Sequence, residues 1–337
     1  MRITDLYVTG VGAHVPDRVS TPDAVARGYY DAGRAARDGI DAVAVATDLS
    51  APEMAALAGQ EAVAMAGGID AADVRTVFHT YVDYSGARFW DAAPYVALHT
   101  VGASARGYDI RQSCNGSLAA IELASHLVPR VGGSVLVTSG ERFDTDGVNR
   151  WQADPQSVFG DGAGAVVLSG RGGFAKVLSA ASAADNRLEG ESRGGRFHPN
   201  MAAHLDFEAL REDYLREQVP LREHWFAMEQ VLRGALKEAL ADADSTIDDI
   251  AYLVPINPTY PMLLGMLEHL IPLPEARTTW DIGRITGHVG GADHLIGLHH
   301  LVTTGKAGPG DKILFAGGGT GFTGTYVIIE MTGEAPR

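Results

Sequence analysis

One cysteine, Cys114, stands in 337 residues. No disulfide can form within the chain, and no zinc site can be built from several thiolates. Positive charge is also scarce: 27 Lys and Arg against 42 Asp and Glu leave a formal net charge of −15. Such a surface repels a phosphate backbone, and no run of Lys and Arg makes a local exception, so nucleic acid is not an expected partner. Long apolar runs are missing too, none approaching the about 18 residues of a membrane span. The first residues, MRITDLYVTGVG, carry Asp5 inside their apolar stretch and show no cleavage pattern, so a secretory leader is not expected either and the expected location is cytoplasmic. What is present is globular: 46% hydrophobic and 20% charged residues with 41 Gly. A chain of this length exceeds one core, so two domains or two fused halves are expected.

The order of elements repeats. A helix-like stretch EMAALAGQEAVAMAG (53–67) is followed by IDAADV and an apolar run TVFHTYV; later HWFAMEQVLRGALKEALADA (224–243) is followed by STIDDI and AYLVPIN. Further on, SCNGSLAAIELASHLV (113–128) leads through a Gly-containing turn to SVLVTSGE, and GHVGGADHLIGLHHLV (287–302) leads through GKAGPGD to KILFAGGG. Aligning the shared HLV endings, His126 with His300, sets Cys114 opposite His288 at equal spacing. Strands alternating with helices read as α/β, with duplicated βαβ halves and a mainly parallel sheet covered by helices. The polar, Gly-rich stretch from Ser182 to Asn200 reads as a loop.

Cys114 follows the strand-like GYDIRQ and precedes an apolar-periodic helix. Unpaired N–H groups and the helix dipole there favour a thiolate, which makes the residue a candidate nucleophile. A free cysteine is also a common small apolar filler. His288, in the matching position of the second half, supplies the base that nucleophilic catalysis needs. Its neighbours His294, His299 and His300 leave open a plain polar helix face, and no metal site is expected of the cluster.

SCNGSLAAIELA resembles the active-site cysteine segment of ketoacyl synthase III enzymes, FGDGAGAVVLS (159–169) resembles their second signature, and FAGGGTGFTGTYVIIEM (315–331) their C-terminal glycine loop. The likeness runs from ITDLYVTGVGAHVPD to that last strand. It implies a thiolase fold with a layered αβαβα architecture, a Cys-bearing half over residues 1–172 and a half over 173–337 that carries His288 and the Gly-rich loop. It also implies a homodimer and a covalent acyl-Cys114 loaded from acyl-CoA or acyl carrier protein (acyl-ACP), with no permanently bound cofactor. The amides of Cys114 and Gly318 would form the oxyanion hole; a tight turn is the plainer reading of Gly317–Gly319.

Condensing members pair the cysteine with a His in V-P-H and an Asn in G-N. Here the first reads Val254-Pro255-Ile256-Asn257 and the second Gly287-His288. Ile256 cannot donate a hydrogen bond to a thioester oxygen becoming an enolate, whereas an imidazole suits deprotonation of a hydroxyl or amine acceptor. The pattern GHVGGAD is similar to a subgroup that acylates sugars and other acceptors in natural-product pathways, whose members commonly read P-H-N where this chain has Pro255-Ile256-Asn257. The expected function is thus acyl transfer to a small-molecule acceptor such as a sugar or polyketide, with Cys114, His288 and Asn257 in catalysis. The alternatives are a decarboxylative condensing enzyme and a non-catalytic partner of the same fold. Asn257 would bond either His288 or the acyl carbonyl. Asp293, placed about 140° from His288 on a helix of 3.6 residues per turn, reads as a poor partner for it. Asp161 reads as a turn and packing residue, and His79 as a strand-end histidine or part of the cavity wall.

Overall fold

The computed structural model describes residues 1–83, 86–87, 89–144, 148–195 and 206–335. Its strands are β1 (Tyr7–His14), β2 (Arg18–Ser20), β3 (Ala42–Ala44), β4 (Val74–Thr80), β5 (Arg106–Ile110), β6 (Ser134–Glu141), β7 (Gly162–Ser169), β8 (Ala175–Ala184), β9 (Ile250–Pro255), β10 (Lys312–Gly319) and β11 (Thr323–Met331). Its helices are α1 (Thr21–Ala26), α2 (Ala32–Asp38), α3 (Ala51–Met65), α4 (Ala92–Thr100), α5 (Gly116–Val131), α6 (Phe207–Glu217), α7 (Leu221–Asp242), α8 (Tyr260–His269), α9 (Trp280–Thr286) and α10 (Ala292–Thr303).

The main sheet runs β5-β4-β6-β7-β1-β8-β11-β10-β9. Apart from edge strand β5, the order reads the same from either end once β1 is matched with β8, β7 with β11, β6 with β10 and β4 with β9. That palindrome is the structural form of the sequence repeat. The half-sheets meet where β1 pairs with β8, Tyr7 with Lys176 and Val8 with Ala175, and the pairing continues to a bridge of Arg2 with Ser179.

Strand side chains alternate between faces, and here both faces are covered. On β6, Val135 and Val137 join the central core while Leu136 joins an outer one; on β10, Ile313 and Phe315 point inward and Leu314 outward. Such strands carry continuous apolar runs, as residues 135–137 of β6 and 163–168 of β7 do, both strands being buried from end to end. The central core includes Leu118, Ile121 and Ala124 of α5 with Leu295, Leu298 and Leu301 of α10. Helices α5 and α10 thus form the middle layer, α3 covers one outer face and α7 the other, giving the expected αβαβα layering.

The sheet is mixed, not mainly parallel. Only β4–β5, β4–β6 and β9–β10 are parallel, and the other neighbours run antiparallel. The reason is that β6 to β7 and β10 to β11 lack an intervening helix among the described residues, so each pair closes as antiparallel neighbours. The stretch read as a loop from Ser182 begins as the end of β8 and continues as a short 3-10 turn, Asn186–Leu188; its residues 196–200 lie outside the described residues. Among the described residues no helix is long and apolar enough to cross a membrane.

Helix α3 starts at a capping box in which Ser50 N and Oγ both donate to Glu53 Oε2, at 2.8 and 2.6 Å. Its Ala58 and Ala62 press on β1 so closely that a Cβ on Gly12 or Gly10 would strike the Ala58 or Ala62 carbonyl oxygen. Gly10→Ala must therefore push the helix off the sheet. We expect it to lower unfolding stability by about 1–3 kcal/mol, read as a reduced urea midpoint with an unchanged denaturant slope.

Candidate active site

Cys114 lies in a 3-10 turn, Ser113–Asn115, between β5 and α5. Ser113 takes a left-handed φ of +48°, a strained setting for a residue with a Cβ. Its hydroxyl is tied to Thr320 Oγ1 at 2.5 Å, and Asn115 Nδ2 bonds Gln112 Oε1 at 2.7 Å and Thr325 Oγ1 at 2.8 Å. These bonds hold the sharp turn against the Gly-rich end of β10. A Cβ on Gly317 would lie 2.6 Å from Asn115 Oδ1, and one on Gly319 2.5 Å from Gln112 O. Gly318 sits between them with its Cα facing the Phe322 ring.

His288 belongs to the segment before α10, not to the helix. Gly287 and Gly290 around it have φ of +78° and +56°, and its backbone is clamped by the second signature. His288 N donates to Val158 O at 2.7 Å, and Gly160 N donates to His288 O at 2.9 Å. The Phe159 ring lies 5.9 Å from the imidazole, centre to centre. The imidazole Nε2 is 2.9 Å from Cys114 Sγ. The two residues that the repeat alignment set opposite each other are thus neighbours in space.

The expectation for Asp293 is overturned. His288 Nδ1 lies 2.5 Å from Asp293 Oδ2. The 140° separation presumed one helix, whereas α10 begins only at Ala292 and His288 approaches Asp293 from an irregular loop. Because a carboxylate only accepts, Nδ1 carries the proton and Nε2 faces the sulfur. Asp293 also accepts from Val289 N (2.7 Å), Asn257 N (2.7 Å) and Asn257 Nδ2 (3.0 Å). Asn257 thus bonds neither His288 nor any group on the open side of the sulfur. It orients the carboxylate, and its Nδ2 also donates to Gly287 O at 2.9 Å.

Burial alone would push the His288 imidazole down. The negative charge available on the Cys114 sulfur and the Asp293 carboxylate outweigh it and hold the imidazole well above the usual histidine range. His288 is 2% exposed while Cys114 is only partly buried, so the sulfur is the open end of the line. Close by, Glu141 Oε1 accepts from Val82 N at 2.5 Å, and burial pushes its carboxyl well above the carboxylate range.

The remaining candidates are structural. Asp161 is buried in a two-point pair with Arg150 (2.7 and 3.1 Å) and accepts from Ala46 N and Phe143 N. His79 is fully buried, with Nδ1 3.0 Å from Thr138 Oγ1, and burial pushes it down to about 4. Of the clustered histidines, His299 pairs with Glu61 (3.0 Å) and His300 with Asp281 (2.8 Å), whereas His294 is buried. No group of three or more His, Cys, Asp or Glu among the described residues is arranged to hold a metal.

Comparison with known proteins agrees with this architecture. Residues 108–186 match the family 3-oxoacyl-[acyl-carrier-protein] synthase III, and residues 240–331 match its C-terminal domain. The chain is 27% identical over 334 residues to the acetoacetyl CoA synthase NphT7 of Streptomyces sp. (strain CL190), covering 96% of this chain and 98% of that one. It is 26% identical over 328 residues to the mycobacterial β-ketoacyl-[acyl-carrier-protein] synthase III of Mycobacterium tuberculosis (strain H37Rv), covering 95% and 94%. Among solved structures, the acyltransferase ChlB3 superposes with a TM-score of 0.92 at 32% identity over 99% of both chains. The synthase III of Aquifex aeolicus shares the fold, with a TM-score of 0.79 at 20% identity over 96% of this chain and 99% of that one.

Since both the sulfur and the carboxylate raise the affinity of His288 for its proton, Cys114→Ala and Asp293→Asn should each lower the pH at which the imidazole titrates. A pH titration of the His288 ring signals by NMR reads this directly. An unshifted titration in either variant contradicts the electrostatic account.

Proposed function

Because the chain belongs to the 3-oxoacyl-[acyl-carrier-protein] synthase III family, we propose that it is an acyltransferase that carries its acyl group on Cys114 and delivers it to a hydroxyl or amine. The observation that carries this reading is the line Cys114–His288–Asp293, with Nε2 2.9 Å from the sulfur. It is joined to Gly287-His288 standing where condensing relatives carry G-N. The overall likeness to ChlB3 supports it.

In the first half-reaction the Cys114 thiolate attacks the carbonyl carbon of an acyl thioester, and the tetrahedral oxyanion is held by the amides of Cys114 and Gly318. The carbon–sulfur bond to the donor breaks, and His288 Nε2 gives its proton to the departing thiolate. Acylation thereby removes the sulfur's negative charge, one of the two influences keeping the imidazole protonated, and leaves a neutral base beside the thioester. In the second half-reaction Nε2 takes the acceptor's proton as its oxygen or nitrogen attacks the acyl carbon. The Cys114 carbon–sulfur bond then breaks, and the thiolate returns beside an imidazolium. Asp293 keeps Nδ1 protonated throughout and Asn257 keeps Asp293 in place, so Asn257 serves the reaction at one remove. The donor class is acyl-CoA or acyl-ACP, and the acceptor a small molecule such as a sugar or polyketide.

Intact-mass measurement after incubation with a panel of acyl-CoA and acyl-ACP donors should show one acyl adduct on the native chain and none on Cys114→Ala. His288→Gln should slow both half-reactions by about 100-fold or more. A new carbon–carbon bond formed from labelled malonyl thioester would sink the transfer reading in favour of condensation, and a donor that binds without marking Cys114 would favour a non-catalytic partner.

A further inference from the structure

The two reacting side chains come from opposite halves of the chain, and α5 and α10 share an apolar core whose contacts are non-directional. One contact between the two helices is directional. Ser117 Oγ, one residue into α5, lies 3.2 Å from His294 Nδ1 on α10, and both residues are 0% exposed. The other ring nitrogen, His294 Nε2, lies 3.1 Å from Ala316 O on β10. A carbonyl oxygen can only accept, so Nε2 carries the hydrogen, Nδ1 is the acceptor, and the Ser117 hydroxyl donates to it. Burial pushes the imidazole down, which keeps this neutral form in place.

Each of the three attached elements belongs to a different part of the site. Ser117 follows the cysteine by three residues. His294 is the next residue after Asp293. Ala316 immediately precedes the Gly-rich end of β10, where a Cβ on Gly317 would lie 3.3 Å from His294 Cε1 and 2.6 Å from Asn115 Oδ1. The helix starts themselves touch at Gly291, whose Cβ would lie 3.2 Å from Ser117 N. With no side chain to separate them there, the hydrogen-bonded joint stands beside their closest approach.

We propose that His294, through Ser117 and Ala316, is a positioning residue for the acyl transfer: it fixes nucleophile turn, base helix and glycine strand relative to one another without touching substrate. This deepens the proposed function and rests on it. It also accounts for a buried histidine that a core of leucines and valines does not need.

The test uses Ser117→Ala, His294→Leu and His294→Asn in the full chain, with circular dichroism and melting to establish folding. Iodoacetamide alkylation of Cys114 reports the cysteine's setting with no acyl donor, and steady-state acyl transfer reports kcat and KM. Ser117→Ala and His294→Leu should each slow alkylation about tenfold and lower kcat by a similar factor, with KM within about twofold. His294→Asn, whose amide oxygen can replace Nδ1 as acceptor, should recover most of the alkylation rate. Folded variants with native alkylation and kcat overturn the proposal. If His294→Leu fails to fold, Ser117→Ala, which removes one hydroxyl, decides on the same readouts. A native chain that transfers no acyl group sinks the transfer reading alone, because slowed alkylation would still demonstrate the joint.

Discussion

An imidazole enclosed between a sulfur and a carboxylate is the constraint on which the site depends. Taking such groups out of water is costly, and removing one partner of a buried charged set typically costs about 3–5 kcal/mol because the remaining charge is stranded. The arrangement holds here because each polar atom is matched. Asp293 receives bonds from Asn257, Val289 and His288, and the backbone of His288 is clamped between Val158 and Gly160. The second signature and the remnant of the V-P-H motif therefore serve one purpose from opposite sides. Neither touches the sulfur, and both decide where the imidazole points.

Much of this was legible in the residues. The repeat placed Cys114 opposite His288 before any coordinates, because two copies of a strand–turn–helix unit keep equivalent positions equivalent. Their helices α3, α5 and α7 and the strands β6 and β10 fall where apolar patterning put them. Asp293 was misread because periodicity cannot tell the last loop residues from the first helical ones. Gly287 and Gly290, with their left-handed φ values, let the chain fold back on Asp293, and an angular argument drawn on a regular helix has no access to that. Asn257 kept a place in the site while losing direct contact with it, since hydrogen-bond partners across 36 residues of separation leave no local signature. Strand direction was misjudged for a related reason: alternation of helices and strands reports crossovers, and β6–β7 and β10–β11 have none among the described residues.

The imidazole changes position within the second half. Ile256 follows β9 in one half, and His288 precedes α10 in the same half, so both positions border the same sulfur in relatives that use them. Moving the imidazole from one to the other changes what lies behind it. At His288 the rear partner is a carboxylate held by three further N–H groups, a setting that suits the proton-accepting role proposed above at a position that condensing relatives fill with an amide.

The seam between the half-sheets runs from Val8 with Ala175 and Tyr7 with Lys176, through the hydrogen bonds Val177 N to Leu6 O and Ile3 N to Leu178 O (both 2.9 Å), to a bridge of Arg2 with Ser179. This pairing couples the two half-sheets, and the helices that follow the sulfur and the imidazole are wedged into close-packed surroundings between them. Small changes in the tilt of one half-sheet must then be felt as changes in helix spacing. Substitutions on the outer faces, remote from any reacting atom, thus have a mechanical route by which to tune the reactivity of the thiol.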